Sequence, residues 1–375
     1  MSDTKSKEPP GILKALAFIL ALLLVISMPL ALLAFDVWRV IFNPPVVKQF
    51  ITDEAVSSNL LPVALGWFSE RRAQERVAKG EALSGVNEPD IVLLLSYLNY
   101  DDWKKIKTEV LSNEFVTHLV SVTVDGTYAW IDSNNKVPQI TWELQPFIDR
   151  VKGENGKNAV LVAYNKLPKC TDPEIADFLG RLSKAPPGVQ VLYNLCMFPN
   201  PWHDDQVQDY IDALQGVVKN VPPKFALTEE ILKVATGGGT SPDALKKQAR
   251  DIRTTAMWAG AVPLVLVLLI VLVVVRNVNA LGRWVGIPLV VGGLITLLPT
   301  LVYRSIITNV LSSGVLGATP EIIKQEAINV ITRAADLIFQ PMMIQAIIVM
   351  VVGILLVAWM FIASRKTTTQ TSTAK

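Results

Sequence analysis

The sequence is poor in the side chains that carry most chemistry. Its 375 residues hold two histidines and two cysteines. His118, His203, Cys170 and Cys196 make four metal ligands by count, but no Cys-x-x-Cys or His-x-x-x-His spacing groups them into a zinc site. No Gly-x-Ser-x-Gly elbow presents a nucleophile. Gly237-Gly238-Gly239 lacks the Gly-Lys-Ser/Thr of a phosphate loop and reads as a hinge. These absences give no cofactor to expect and no enzyme class to name.

Charge is equally thin. Lys+Arg 35 and Asp+Glu 33 nearly cancel, to a formal net charge of +2. No basic stripe runs along the chain, which argues against nucleic acid as a partner. The four longest apolar runs contain no Lys, Arg, Asp, Glu or His near their middles. Proton relays and ion-coupled transporters keep such groups inside the membrane, so an autonomous pump is not expected. Thr296, Thr300 and Gln345 are the notable polar groups there.

What the chain has in quantity is apolar. Hydrophobic residues make up 51%, and the mean hydropathy is +0.38. Residues 254–275 and 284–303 organise the rest: each run approximates the ~20 residues a helix needs to cross a bilayer. At the helix centre each Val, Leu or Ile contributes roughly −0.3 to −0.6 kcal/mol to insertion, and neither run sets a charge against that gain. The connector, 276–283, is too short to fold and carries Arg276 and Arg283 without an acid, so it belongs in the cytoplasm. The spacing of Gly282 and Gly286 suits close helix contact.

The other segments then take sides. Residues 1–14 form a cytoplasmic tail with Lys5, Lys7 and Lys14. Residues 15–35 are a first transmembrane helix, too long for a signal's apolar core. Residues 36–240 become an extracytoplasmic domain and 241–253 a stalk helix. The third helix, 284–303, is followed by an extracytoplasmic loop, 304–340, with an amphipathic helix opened by Thr319-Pro320-Glu321 and ended by Pro341. A fourth helix, 341–364, leads to a cytoplasmic tail, 365–375, with Arg365, Lys366 and Lys375. Trp38-Arg39 and Tyr303-Arg304 read as membrane-interface anchors. The expected fold is a polytopic α-helical membrane protein of the plasma or inner membrane. Four helices cross, and one α-rich α+β domain is inserted between the first and second.

Within that domain, apolar periodicity predicts helices over 45–57, 61–79 and 204–218. Asp101 or Asp102 caps another that runs to Leu111. Residues 113–132 are ambiguous between helix and strand, 139–144 alternate as a strand, and 153–156 read as a loop. Asp172 before Pro173 suggests an N-cap with proline at the first helical position. Cys170 and Cys196 form an even pair in an oxidising compartment; a disulfide there is worth roughly 3 kcal/mol, and two buried thiols are the alternative. His203, Asp204 and Asp205 are a weak polar-site candidate, better read as a polar helix start.

These features favour a non-enzymatic, membrane-anchored binding or assembly module. The bilayer is one partner and a protein reached through the extracytoplasmic domain is another, and homo-oligomers are compatible with it. A permease-like subunit of a transport complex is one alternative. The order of one span, a large outer domain and three spans resembles the FtsX/MacB class of ABC proteins, in topology alone and with no shared motif. The resemblance implies coupling to an ATPase through a cytoplasmic loop, and 276–283 is small for that. An extracytoplasmic enzyme using His203, Asp204 and Asp205 is the other alternative.

Overall fold

Among the described residues, four helical stretches are long and apolar enough to cross a membrane: Ile12–Ile41, Pro242–Val274, Asn279–Gly314 and Glu321–Ala363. They appear in a computed structural model that describes residues 11–78, 97–186, 196–229, 231, 241–275, 278–315 and 320–372. The Gly237-Gly238-Gly239 hinge, Lys5, Lys7, Arg276, Thr319 and Lys375 lie outside the described residues. The chain divides into two units. One comprises Met1–Val47, Thr240–Gly317 and Ile328–Lys375; the other comprises Lys48–Gly239 and Ala318–Ala327.

In the first unit, the Gly11–Ile41 helix packs against the Val262–Val274 and Ile287–Val310 helices. Leu24 and Ile270 are fully buried there, with Met28 and Val285 beside them. Leu264, Leu268 and Leu272 recur every fourth residue on the opposite, exposed face, the pattern of a helix that offers one side to protein and one to lipid. The stalk helix is Pro242–Ala259, with Ser241 Oγ accepting from Ala244 N at 3.2 Å as its cap. It breaks at Gly260 before the apolar run resumes.

One sequence expectation gains detail in this unit and one fails. The connector 276–283 is helical from Val278 and continues through a wide π turn, Gly282–Gly286, into the third span. Pro341 does not end the amphipathic helix: one helix runs from Glu321 to Ser372 with Pro341 inside it. A proline removes one donor and leaves one carbonyl four residues back unbonded. In a long helix packed on neighbours that single loss is tolerated, as it is at Pro29 and Pro299.

Among its described residues the second unit is helical with one small sheet. Thr141–Glu143 and Lys224–Ala226 pair antiparallel, Trp142 opposite Phe225, and the two rings stack at 5.7 Å. The strand falls inside the predicted 139–144. The ambiguous 113–132 stretch is a helix, Asn113–Asp132, capped by Ser112 Oγ accepting from Phe115 N. The core joins the Tyr100–Val110, Glu154–Tyr164 and Trp202–Lys219 helices through Trp103, Val160, Tyr164, Val207 and Ile211.

Local corrections here have simple causes. Residues 153–156 are not a loop: the Gln145–Lys152 helix ends at Gly153 and the next begins at Glu154. Gly156 sits where a Cβ would lie 1.7 Å from the Val151 carbonyl oxygen, so only glycine permits this junction. The Asp172–Lys184 helix is capped by Thr171 rather than Asp172, because Glu174 reaches back to accept from Thr171 N at 2.8 Å. Asn99, not Asp101 or Asp102, caps the Tyr100–Val110 helix; Asp102 is the returning half of that box.

Candidate functional site

The second unit contains a pocket of about 470 Å³, within the range of small-molecule sites. One wall is a single face of the Leu60–Ala78 helix, where Pro62, Val63, Gly66, Trp67 and Glu70 recur at helical spacing. The facing wall is the turn Tyr97, Leu98, Asn99 and Tyr100; Pro320 and Ile322 close one side. Val63 and Leu98 are buried and make an apolar floor. Glu70, Tyr97 and Asn99 stand exposed at the rim.

Local chemistry fixes this turn. Asn99 Oδ1 accepts from Asp102 N at 3.0 Å, and Asp102 Oδ2 accepts from Asn99 N at 3.1 Å. The buried Asp102 carboxylate also pairs with Lys166 Nζ at 3.0 Å. Those bonds hold Tyr97 and Tyr100 on either side of a rigid helix start. Behind Gly66 lies the edge of Trp103: a Cβ at Gly66 would sit 3.5 Å from the indole Cδ1 and 3.9 Å from Nε1. That Nε1 is buried and has no acceptor among the described residues.

Among the described residues, Glu70 is the one charged lining group and no lysine or arginine lines the pocket; Glu70 Oε1 also accepts from Gln74 Nε2 at 3.4 Å. Arg71 lies over the Trp67 ring, 5.3 Å from the centroid, but is answered by Glu75 at 3.1 Å. Desolvation pushes the Tyr100 hydroxyl above its ordinary pKa, and the charges of Glu326 and Asp101 push it further. Apolar periodicity predicts this helix but not its pocket. Trp67, Tyr97 and Tyr100 lie in two separated stretches, and Trp67 shares its helix face with Glu70 and Arg71, so the pattern of this helix alone does not announce them.

The predicted site residues fall elsewhere. Cys170 and Cys196 are joined in a disulfide, beside a small core of Phe178, Phe198, Ile175 and Trp202. The fully buried Gln206 ties this core to the Trp202–Lys219 helix. Its Oε1 accepts from Tyr164 Oη at 2.8 Å and Phe198 N at 3.1 Å, and its Nε2 donates to the Cys196 carbonyl at 2.9 Å. His203, Asp204 and Asp205 open the same helix. His203 Nδ1 lies 2.9 Å from Asp204 Oδ1, and its ring meets Tyr164 edge-on at 5.1 Å. Asp204 and Asp205 are exposed in the first turn, where carboxylates favour the helix dipole.

The anchor pairs differ from each other. Trp38 lies 6.1 Å from Phe35 of its own helix, and Arg39 Nε is 3.8 Å from Asp36 Oδ1. Asp36, assigned from sequence to the outer domain, is fully buried in the first unit and accepts from Gln345 Nε2 at 3.0 Å. Tyr303 and Arg304 are instead clamped across two spans. Arg304 Nη2 donates to Asp336 Oδ2 at 2.9 Å, the Tyr303 hydroxyl donates to the same carboxylate, and its ring stacks on Phe339 at 4.4 Å. The Gly282 and Gly286 spacing does mark a close contact: Cβ atoms there would fall 2.8 Å from the Leu356 carbonyl oxygen and 3.1 Å from that of Gly353.

No family model matches the chain, and no curated protein or solved structure matches it.

Proposed function

We propose that the protein is a multi-pass membrane protein that holds its second unit, Lys48–Gly239 with Ala318–Ala327, outside the cytoplasm and uses it as a binding module, without catalysis. The observation that carries the reading is the Trp67–Tyr97–Tyr100 pocket: an apolar floor, a polar rim and the volume of a small ligand. The placement rests on separate support. The unit is stapled by a disulfide, a bond that persists in oxidising compartments. The short flanks on the opposite side carry lysine and arginine, as cytoplasmic flanks do.

Two measurements test it. A reporter active only outside the cytoplasm, fused at Lys184, should be active and the same reporter at Gly282 silent; the reverse pattern overturns the placement. Hydrogen exchange on the full-length protein in nanodiscs, with and without the soluble material surrounding its own cells, should show protection over residues 62–70 and 97–100. That protection should vanish in Trp67→Ala. Absence of protection with every fraction would remove the binding role from this pocket.

A further inference from the structure

The pocket's aromatic rim and its charge together specify more than a small ligand. Resting on the binding role proposed above, we infer that it takes an alkylated ammonium group, a small organic cation held by Trp67, Tyr97 and Tyr100 with Glu70 as counter-ion.

Three features converge on that class. Aromatic faces carry negative quadrupole density and attract cations within about 6 Å of the ring centroid, and quaternary ammonium groups are recognised this way by cages of such rings. Trp67 already accepts a cation in this manner, from Arg71 at 5.3 Å. Glu70 supplies a carboxylate at the rim with no lysine or arginine among the described lining residues to neutralise it, and Arg71 is paired to Glu75. The field at Tyr100 is negative from two further carboxylates, Glu326 and Asp101, which raise its hydroxyl's pKa beyond the effect of burial alone. An anion meets repulsion here. A neutral sugar would use the ring faces but gains nothing from the charge. A methylated ammonium uses both, because its methyl groups pack on the floor of Val63 and Leu98 while its charge is spread toward the rings. The 470 Å³ volume admits a group of choline size with room for a substituent.

The test is a titration of the full-length protein in phosphatidylglycerol nanodiscs with choline and with its uncharged isostere, in which carbon replaces the ammonium nitrogen. Ligand-observed NMR reads binding. Choline should saturate and the isostere should bind about tenfold more weakly, the difference expected of a desolvated cation–aromatic contact. Glu70→Gln and Trp67→Ala should each weaken choline about tenfold. Glu70→Lys, an exposed substitution that leaves the floor intact, should abolish binding with an unchanged melting temperature. A repeat in phosphatidylcholine nanodiscs separates two sources of the same chemistry: a fall in apparent affinity for free choline assigns a lipid headgroup, and no change assigns a soluble cation. Equal binding of choline and its isostere overturns the inference, as does failure of choline to saturate at millimolar concentration. Either failure leaves the wider binding role standing if the exchange experiment above still shows protection over the pocket.

Discussion

The two units of this chain solve the same packing problem in different solvents. The second unit is held by burial: aromatic and branched side chains such as Trp103, Tyr164 and Phe198 leave water for a shared interior, which is the dominant stabilising term in aqueous folding. The first unit cannot rely on that term if its helices lie in lipid, because the tails around them are as apolar as leucine. Close backbone approach and polar pairs must then hold the helices together. The residues follow that logic. Glycines at 286, 293 and 353 let the third and fourth spans meet with almost no side chain between them, whereas the second unit uses glycine at a junction, Gly156, to turn the chain.

Each unit is expected to fail by its own mechanism, and the largest effect is expected at the disulfide. Cys170→Ser should cost the second unit about 3 kcal/mol and abolish the gel shift seen on reduction. The first unit should keep its helices, read by circular dichroism in detergent. A comparable loss in both units would mean that they unfold as one body, and the contrast drawn here would be wrong. Next is Gly353→Leu. A Cβ at Gly353 would lie 2.8 Å from the Gly286 carbonyl oxygen and 2.8 Å from Val290 N, both backbone, so the helices must part. Overpacking of this kind costs about 2 kcal/mol. Crosslinking between cysteines placed at Val290 and Met350 should fall while the disulfide-stapled unit melts as before.

A matched pair sharpens the comparison. A glutamine serves each unit: Gln206 is fully buried and Gln345 half-buried. Gln206 bonds Tyr164, Phe198 and Cys196 in the second unit, and Gln345 donates to the buried Asp36 in the first. Gln206→Leu strands a backbone N–H, a carbonyl and a hydroxyl, a loss of about 2 kcal/mol. Gln345→Leu removes a single bond. Interhelical hydrogen bonds in membranes average about 0.6 kcal/mol, so the expected loss is about 1 kcal/mol or less. Melting of the two variants in the same detergent decides it; a larger loss at Gln345 would mark Asp36 as a centre of stability in the bundle.

What was legible in the sequence divides along the same line. Apolar runs without charge reveal membrane-length helices because the signal is local and long, and Gly282 with Gly286 announced their contact at fixed spacing. Local rules also erred by single residues: Glu174 chose Thr171 over Asp172 as its partner, and Pro341 interrupts one bond where a helix of this length continues. Asp36 was placed outside because it follows an apolar run. It is buried beside Gln345, which lies 309 positions later in the chain. The pocket was illegible for the same reason. Tyr97 and Tyr100 meet Trp67 through the fold of the second unit, and no periodicity within either stretch records that meeting.

The smallest expected effect tests whether surface charge in the second unit contributes at all. Lys48 Nζ donates to Asp125 Oδ2 at 3.0 Å, and this bond, more than the opposing desolvation, holds the Asp125 carboxyl below its ordinary pKa. A depressed folded pKa stabilises the folded state above the unfolded value, near about 3.9, and that contribution is lost as pH falls through the folded value. Solvent screens the pair heavily, since the Asp125 side chain is 57% exposed, so the contribution is below about 0.5 kcal/mol. Asp125→Asn should therefore flatten the acid limb of the second unit's melting curve slightly and leave its neutral plateau almost unmoved. A plateau that drops by as much as in Gln206→Leu would show that a surface ion pair rivals a buried network here, and would overturn the account of this unit as one held by burial.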